Sequence, residues 1–262
     1  AGDSISKNTA LMIDNPDFYL LAVPALLVTG ISKGGFGSGI GMVAVPMMAL
    51  TVPVPQAAAV MLPILCLMDL VGIWTYWRRW DGASIAVLVP AATVGIGVGF
   101  ITFSMLSEHG LRLIVGVVSL VFVLQYWLSG GSRQPARPHA GKGWLWGTLS
   151  GYTSFLAHAG GPPVSMYLLP QQMEKARLVA TTVVFFAAVN YMKLLPYWWL
   201  GQLNLGNMTT ALVLMPLAPV GILTGAWVLR HISQALFMRF CYVFVLLAGL
   251  KLTWDGAFGL LR

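Results

Sequence analysis

Residues 30–41 read GISKGGFGSGIG and residues 154–163 read SFLAHAGGPP, and each stretch interrupts apolar sequence. Glycine costs a helix about 1 kcal/mol relative to alanine, so a dense run of it is expected to break one. The apolar segments around these breaks are short. At 1.5 Å per residue, residues 18–29 cover about 18 Å and residues 41–50 about 15 Å, against a hydrocarbon core of ~30 Å. The pattern predicts pairs of half-helices meeting near the bilayer midplane, either re-entrant or spanning. Backbone freed at that depth is tolerated only where it lines a cavity or is buried in protein.

Outward from the first break, longer apolar segments follow at 57–77, 83–103 and 111–128. Outward from the second, short segments at 144–157 and 164–169 precede long ones at 178–200, 205–229 and 235–253. The order short, short, long, long, long therefore occurs twice. A constant offset of 121 places Gly30 on Gly151, Gly39 on Gly160, Val43 on Val164, Asp69 on Asn190 and Tyr76-Trp77 on Tyr197-Trp198. Between the halves, SGGSRQPARPHAGKG (residues 129–143) is a solvated linker by its glycine, proline and arginine content. The expected organisation is a first transmembrane repeat at 1–128, a cytoplasmic linker at 129–142 and a second repeat at 143–262. Two related halves joined by one hydrophilic linker are a transporter pattern.

Composition sets the solvent. Of 262 residues, 58% are hydrophobic and 9% charged, where a soluble domain carries about a quarter charged. Mean hydropathy is +0.80. That excludes a soluble cytosolic enzyme, and continuous rather than alternating apolar runs exclude an outer-membrane barrel. The expected fold is an all-α polytopic membrane protein of two inverted repeats, each a glycine-broken pair of half-length helices plus three full transmembrane helices. The net charge of +7 does not mark a nucleic-acid binder, because the basic residues sit at the ends of apolar runs. Cys66 and Cys241 lie inside such runs and read as core residues. Asp3, Asp14 and Asp17 give the first 17 residues no basic signal-peptide region.

Charge also orients the chain. With the N-terminus outside and an odd number of crossings per half, the inside loops hold Arg78, Arg79, Arg133, Arg137, Lys142, Lys175, Arg177, Arg230 and Arg239. The outside keeps Lys7, Arg112, Lys251 and Arg262, as the positive-inside rule requires for a bacterial inner membrane. An odd count per half makes the halves inverted with respect to each other.

Half-helix N-termini present unpaired N–H groups and a partial positive charge, which attract anions. Candidate substrate contacts in the first break are Ser32, Lys33, Gly34, Gly35, Gly37, Ser38 and Gly39. In the second they are His158, Ala159, Gly160 and Gly161, followed by Pro162 and Pro163, which suit a helix start. The two N-termini are expected to approach one point from opposite sides, with the N–H groups of Ala159, Gly160 and Gly161 facing the cavity. The alternative reading is that these glycines only permit close helix packing. Lys33 lies in an apolar, glycine-broken segment, where a lysine marks an ion pathway unless it snorkels to an interface. Asp69 lies about 12 Å inside the Arg78 end of its segment, and Asn190, its counterpart in the other half, is a further candidate substrate contact. Asp69, His158 and Lys193 are candidates for proton coupling or gating, and Asp69 is also a partner for Lys33. Lys193, one turn past Asn190 and near a segment end, is expected to snorkel outward. Arg78-Arg79 and Arg230-His231 read as topology determinants.

No other motif carries chemistry. Residues 39–44 fit G-x-G-x-x-A without the strand or βαβ unit it requires, and no phosphate-binding loop or metal cluster is present in the sequence. Trp77, Trp80, Trp127, Trp144, Trp198, Trp199 and Trp254 stand at segment ends as an aromatic belt.

At the two breaks the chain resembles the TauE/SafE sulfite exporter family, within the toluene-sulfonate uptake permease group. Gly30 through Gly39, followed by Val45-Pro46, carry the resemblance in the first half, and Gly151 through Pro163 carry it in the second. The similarity runs over residues 18–253 and leaves out the acidic first 17. It implies a secondary transporter, exporting a small sulfur oxyanion such as sulfite or an organosulfonate, without a cofactor or nucleic-acid partner. Oligomerisation is left open. Other members handle carboxylic anions, so a carboxylate carrier is one alternative and an intramembrane enzyme or assembly factor is another. The latter would need a convergent nucleophile and base, and the sequence offers only scattered candidates.

Overall fold

The computed structural model of the chain describes residues 12–35, 43–128, 138–222 and 234–261. Among these residues every regular element is helical. The elements are α1 (Pro16–Gly35), α2 (Ala44–Met48), α3 (Val54–Thr75), α4 (Gly82–Phe103), α5 (Glu108–Leu128), α6 (Ala140–Ala157), α7 (Gly161–Leu168), α8 (Lys175–Trp199), α9 (Leu205–Leu214) and α10 (Gln234–Leu260). Three of them are long and apolar enough to cross a membrane by length and composition: α3, α4 and most of α8 (Ala176–Trp199). Leucine, valine and tryptophan side chains cover much of the outside, and Trp74, Trp77, Trp198, Trp199 and Trp254 stand exposed near helix ends. Such a surface suits lipid, so the chain is a multi-pass membrane protein.

The helices that open each half are longer than their glycines predict. At 20 and 18 residues, α1 and α6 reach about 30 and 27 Å and are not half-length. Helix α1 runs on through Gly30-Ile31-Ser32-Lys33-Gly34-Gly35. A Cβ on Gly30 would lie 2.9 Å from the Gly221 Cα, so the glycine admits a neighbouring backbone that a side chain would push away. Helix propensity measured in water also overstates the penalty here, because a bilayer offers an unpaired N–H no competing water. Only the second member of each pair is short, five residues in α2 and eight in α7. Helix α6 begins at Ala140, within the last residues of the expected linker.

In the second half the segment expected at 205–229 does not run as one helix. It stops at Leu214, turns over 215–216 and resumes at 217–222. Pro216 cannot donate to the carbonyl four residues earlier, and the α-helix ends before it.

Packing pairs the helices in a regular way. Helices α3 and α8 run antiparallel, with Gly72 against Val183, Asp69 against Asn190 and Cys66 against Tyr191. Helices α5 and α10 are antiparallel too, Gly116 meeting Gly249 and Thr253 while Gly256 meets Leu113 and His109. By contrast α4 and α6 run parallel. A Cβ on Gly147 would stand 2.7 Å from the Ala91 Cβ, and the Thr148 hydroxyl donates to the Ala91 carbonyl at 3.1 Å. Helix α1 likewise runs parallel to 205–222, from Ile13 at Thr210 to Gly30 at Gly221. Small residues let these backbones approach, as membrane packing favours.

One end of the bundle gathers the starts of α4, α6 and α8. Asp81 caps α4 by accepting from the Ser84 N–H at 2.8 Å, and it pairs with Arg177 at 2.5 Å. Burial pushes the Asp81 carboxyl up, but hydrogen bonds from Ser84 and Arg177, with the guanidinium charge, outweigh it and hold the group below the usual carboxylate range. Arg78 in the adjoining turn sits at φ 61°, a left-handed conformation uncommon outside glycine.

Candidate functional site

Two polar clusters interrupt the apolar interior, both against α3 and α8. The first joins three helices. Lys33 Nζ near the end of α1 lies 2.5 Å from Asp69 Oδ1 of α3, and Asn190 of α8 donates to Asp69 Oδ2 at 2.6 Å. Asp69 is 1% exposed and the Lys33 side chain 15%, so these two donors take the place of the water that the carboxylate has lost. Asp69 and Asn190 are 121 positions apart, the offset read from the sequence, and they touch each other. Beside Lys33, the buried Ser32 hydroxyl has no hydrogen-bond partner among the described residues.

The second cluster centres on Lys193. Its three N–H donors all have acceptors: the Ser154 carbonyl at 3.0 Å, the Ser154 hydroxyl at 3.0 Å and His158 Nδ1 at 2.6 Å. The lysine is fully buried, so it does not snorkel outward as its position near a helix end predicts. Three inward acceptors hold it where a lone ammonium would have left. His158 Nε2 lies 2.8 Å from the Ala58 carbonyl. A carbonyl only accepts, so Nε2 carries the hydrogen and Nδ1 presents its lone pair to Lys193. His158 is also the left-handed residue that ends α6, at φ 53°. Above it, Tyr197 donates to the Phe155 carbonyl at 2.5 Å and packs edge-on against the Phe155 ring.

The turn into α7 is more fully paired than the sequence predicts. The Ala159 N–H, expected to face a cavity, donates to the Thr153 carbonyl at 3.2 Å, because the left-handed His158 turns the chain back on α6. The Thr153 hydroxyl takes the Ala159 carbonyl at 3.0 Å, and the Ser150 hydroxyl takes the Gly160 carbonyl at 2.7 Å. A Cβ on Gly160 would stand 2.7 Å from the Ser150 oxygens, so this glycine is required for packing. Gly160 and Gly161 remain as the first N–H groups of α7, ahead of two prolines that have none.

Of the predicted contacts, Gly34 and Gly35 close α1, while Gly37, Ser38 and Gly39 lie outside the described residues, as do Arg230 and His231. The meeting of two helix N-termini at one point therefore lies outside them in the first half. The side chains that are described stand at different depths: Lys33 reaches α3 at Asp69 and His158 reaches it at Ala58, roughly 16 Å apart along the helix. Ser154, Tyr197 and the Ala58 carbonyl were not among the predicted contacts. The offset of 121 points to Ser154, since it falls on Lys33.

The TauE/SafE sulfite exporter family model matches residues 22–252, nearly the whole chain. The chain belongs to the TauE/SafE family. No curated protein and no solved structure matches it. TauE/SafE proteins are membrane transporters of sulfite or related anions and not enzymes, so this is a transport protein working in a lipid bilayer on a small anion.

Proposed function

We propose that this TauE/SafE protein is a secondary transporter that exports a small sulfur oxyanion, sulfite or an organosulfonate, across a bacterial inner membrane. Its N-terminus is outside and its central linker cytoplasmic. The observation that carries the reading is the buried Lys33–Asp69–Asn190 cluster, set among helices long and apolar enough to span. An anion loses its hydration shell on entry and needs several donors at once. Lys33, the Ser32 hydroxyl, which has no partner among the described residues, and the first N–H groups of α7 at Gly160 and Gly161 are such donors. Gly34, Gly35, Gly37, Ser38, Gly39 and Asn190 complete the proposed contacts.

Asp69 competes with the anion for Lys33. Protonating Asp69 frees the ammonium for substrate, and deprotonating it takes the ammonium back, which couples binding to a proton. His158 and Lys193, bonded to each other across α6 and α8, act as the gate. The inverted repeat is supported by the antiparallel pairing of corresponding helices, α3 with α8 and α5 with α10.

Purified protein in proteoliposomes, loaded with labelled sulfite, is the test. Wild type moves sulfite down its gradient, Lys33→Gln slows flux at least tenfold, and Asp69→Asn abolishes its dependence on a pH gradient. Absence of flux above protein-free vesicles would refute the function. Competition by acetate but not by methanesulfonate would move the substrate to a carboxylate.

A further inference from the structure

The turn between α3 and α4 forms a basic recess that the proposed transport site does not use. Arg78, Arg79 and Trp80 line it from the turn, and Glu174, Ala176 and Arg177 line it from the start of α8, around a space of about 470 Å³. Clefts of that size hold small ligands. Successive side chains of an extended chain point to opposite faces, yet three successive ones face this recess. The left-handed Arg78, at φ 61°, breaks the alternation. Such a conformation is unfavourable for a residue with a side chain, and it collects at binding sites.

The arginines are available to a ligand. Among the described residues Arg78 and Arg79 have no ion-pair partner. Asp81 holds Arg177 from one side through a single N–H, which leaves that guanidinium further donors. Glu174 is the one carboxylate on the wall. A topology signal needs only charge on the proper side of the membrane. It needs neither a cavity nor an arginine contributed by α8.

The recess also sits at lipid depth. Residues 76–81 join two helices long and apolar enough to span, α3 and α4. Six residues can rise about 10 Å from the helix ends and return, which keeps them in or beside the headgroup layer, about 5–7 Å thick on each side. Trp80 on the recess wall packs edge-on against Trp77, with ring centroids 6.1 Å apart. Trp77 and Trp74 are 61% and 81% exposed, so they belong to the lipid-facing surface and join the recess to it.

We infer that this recess binds the phosphate of an anionic membrane lipid, with the Arg78 and Arg79 guanidinium groups on its oxygens and the acyl chains outside along Trp74 and Trp77. Arg177 completes the positive wall. A guanidinium donates to two phosphate oxygens at once, which an ammonium does not. Glu174 disfavours a doubly charged phosphate, so a phosphodiester of one negative charge fits best. The inference rests on the bilayer setting and not on the identity of the transported anion.

Native mass spectrometry of the purified full chain in detergent, titrated with lipids of matched acyl chains, is the test. Phosphatidylglycerol offers an anionic phosphodiester, and phosphatidylcholine offers the same group with its charge cancelled. Wild type is expected to bind the first at least tenfold more tightly. Arg78→Gln/Arg79→Gln should lose that preference to within twofold. Arg78→Lys/Arg79→Lys keeps the topology charge and should still bind phosphatidylglycerol at least threefold more weakly than wild type. Arg112→Gln/Lys251→Gln removes as many charges at the opposite end and should leave the preference intact. Inorganic phosphate in large excess should not displace the lipid. Three results overturn the inference: equal binding of the two lipids by wild type, either arginine double variant matching wild type, or displacement by inorganic phosphate, which would make the recess a site for a free anion. The first and third need no variant. Sulfite flux that persists alongside any of them keeps the proposed function, and lipid preference without sulfite flux keeps this inference alone.

Discussion

Removing Asp69 tests whether the first polar cluster is an ion pair in the energetic sense. Breaking a buried pair by deleting one partner costs about 3–5 kcal/mol, because the other charge is left behind. The Lys33 side chain is 15% exposed and keeps some solvent, so Asp69→Leu should fall near the lower end, about 3 kcal/mol. The loss of the Asn190 bond adds about 0.6 kcal/mol, a typical interhelical hydrogen bond in a membrane. Deleting the lysine instead strands a carboxylate that is 1% exposed, so Lys33→Met should cost more, about 4 kcal/mol. The double variant Lys33→Met/Asp69→Leu removes both charges and leaves only the Asn190 amide without its acceptor, again about 0.6 kcal/mol. Unfolding of the purified protein in mixed micelles with increasing sodium dodecyl sulfate, followed by tryptophan fluorescence, gives all four values. The double variant should be more stable than either single one. Strict additivity, about 7.6 kcal/mol for the pair, would refute the reasoning and make the contact incidental.

Three further outcomes follow from the packing and the polar ends. Asp81→Ala should destabilise by about 1 kcal/mol through the lost cap of α4, and Asp81→Asn should recover most of it. Because the folded carboxyl lies below the usual carboxylate range, its contribution is present at neutral pH and fades as pH falls through that lower value. The gap between wild type and Asp81→Ala in thermal unfolding should therefore close on acidification. Gly151→Val should prevent α4 and α6 from docking, since even a Cβ there would stand 2.7 Å from the Ala92 Cα, and size-exclusion should show aggregation, while Gly97→Val, where a Cβ meets nothing within 4 Å, is tolerated. A cysteine placed at Ser132 in a cysteine-free background should react with an impermeant maleimide in inverted vesicles and not in intact cells, whereas labelling only from outside would reverse the proposed topology.

Much of this architecture is legible in the residues, for reasons of solvent. Helices α3, α4 and α8 fall within about three residues of the apolar segments that announce them, since nothing but a helix satisfies a backbone in lipid. Asp69 stands out for the same reason. What is not legible depends on neighbours far away in sequence. Gly30 reads as a breaker until Gly221 is seen against it. Lys193 reads as a snorkelling residue until Ser154 and His158, 39 and 35 positions away, are seen to accept its hydrogens. The Ala159 N–H reads as open to a ligand until the left-handed His158 aims it at Thr153. Propensity scores one residue at a time, whereas each of these outcomes is settled by a partner.

The contact between Asp69 and Asn190 has a consequence for the resting carrier. Under the proposed repeat, inward-open and outward-open shapes are near images of each other, and matched halves would make the two equally populated. Here a charged residue faces its uncharged counterpart, so the images agree in outline and differ in electrical depth. Membrane voltage acts on a charge in proportion to the field it crosses, about 2.3 kcal/mol for a full crossing at 100 mV. Lys33 neutralises Asp69, so the field acts on the dipole of the pair and supplies only a fraction of that energy. Under the proposed cycle, reversing the membrane polarity with no change in substrate gradient shifts which face waits for cargo by that fraction.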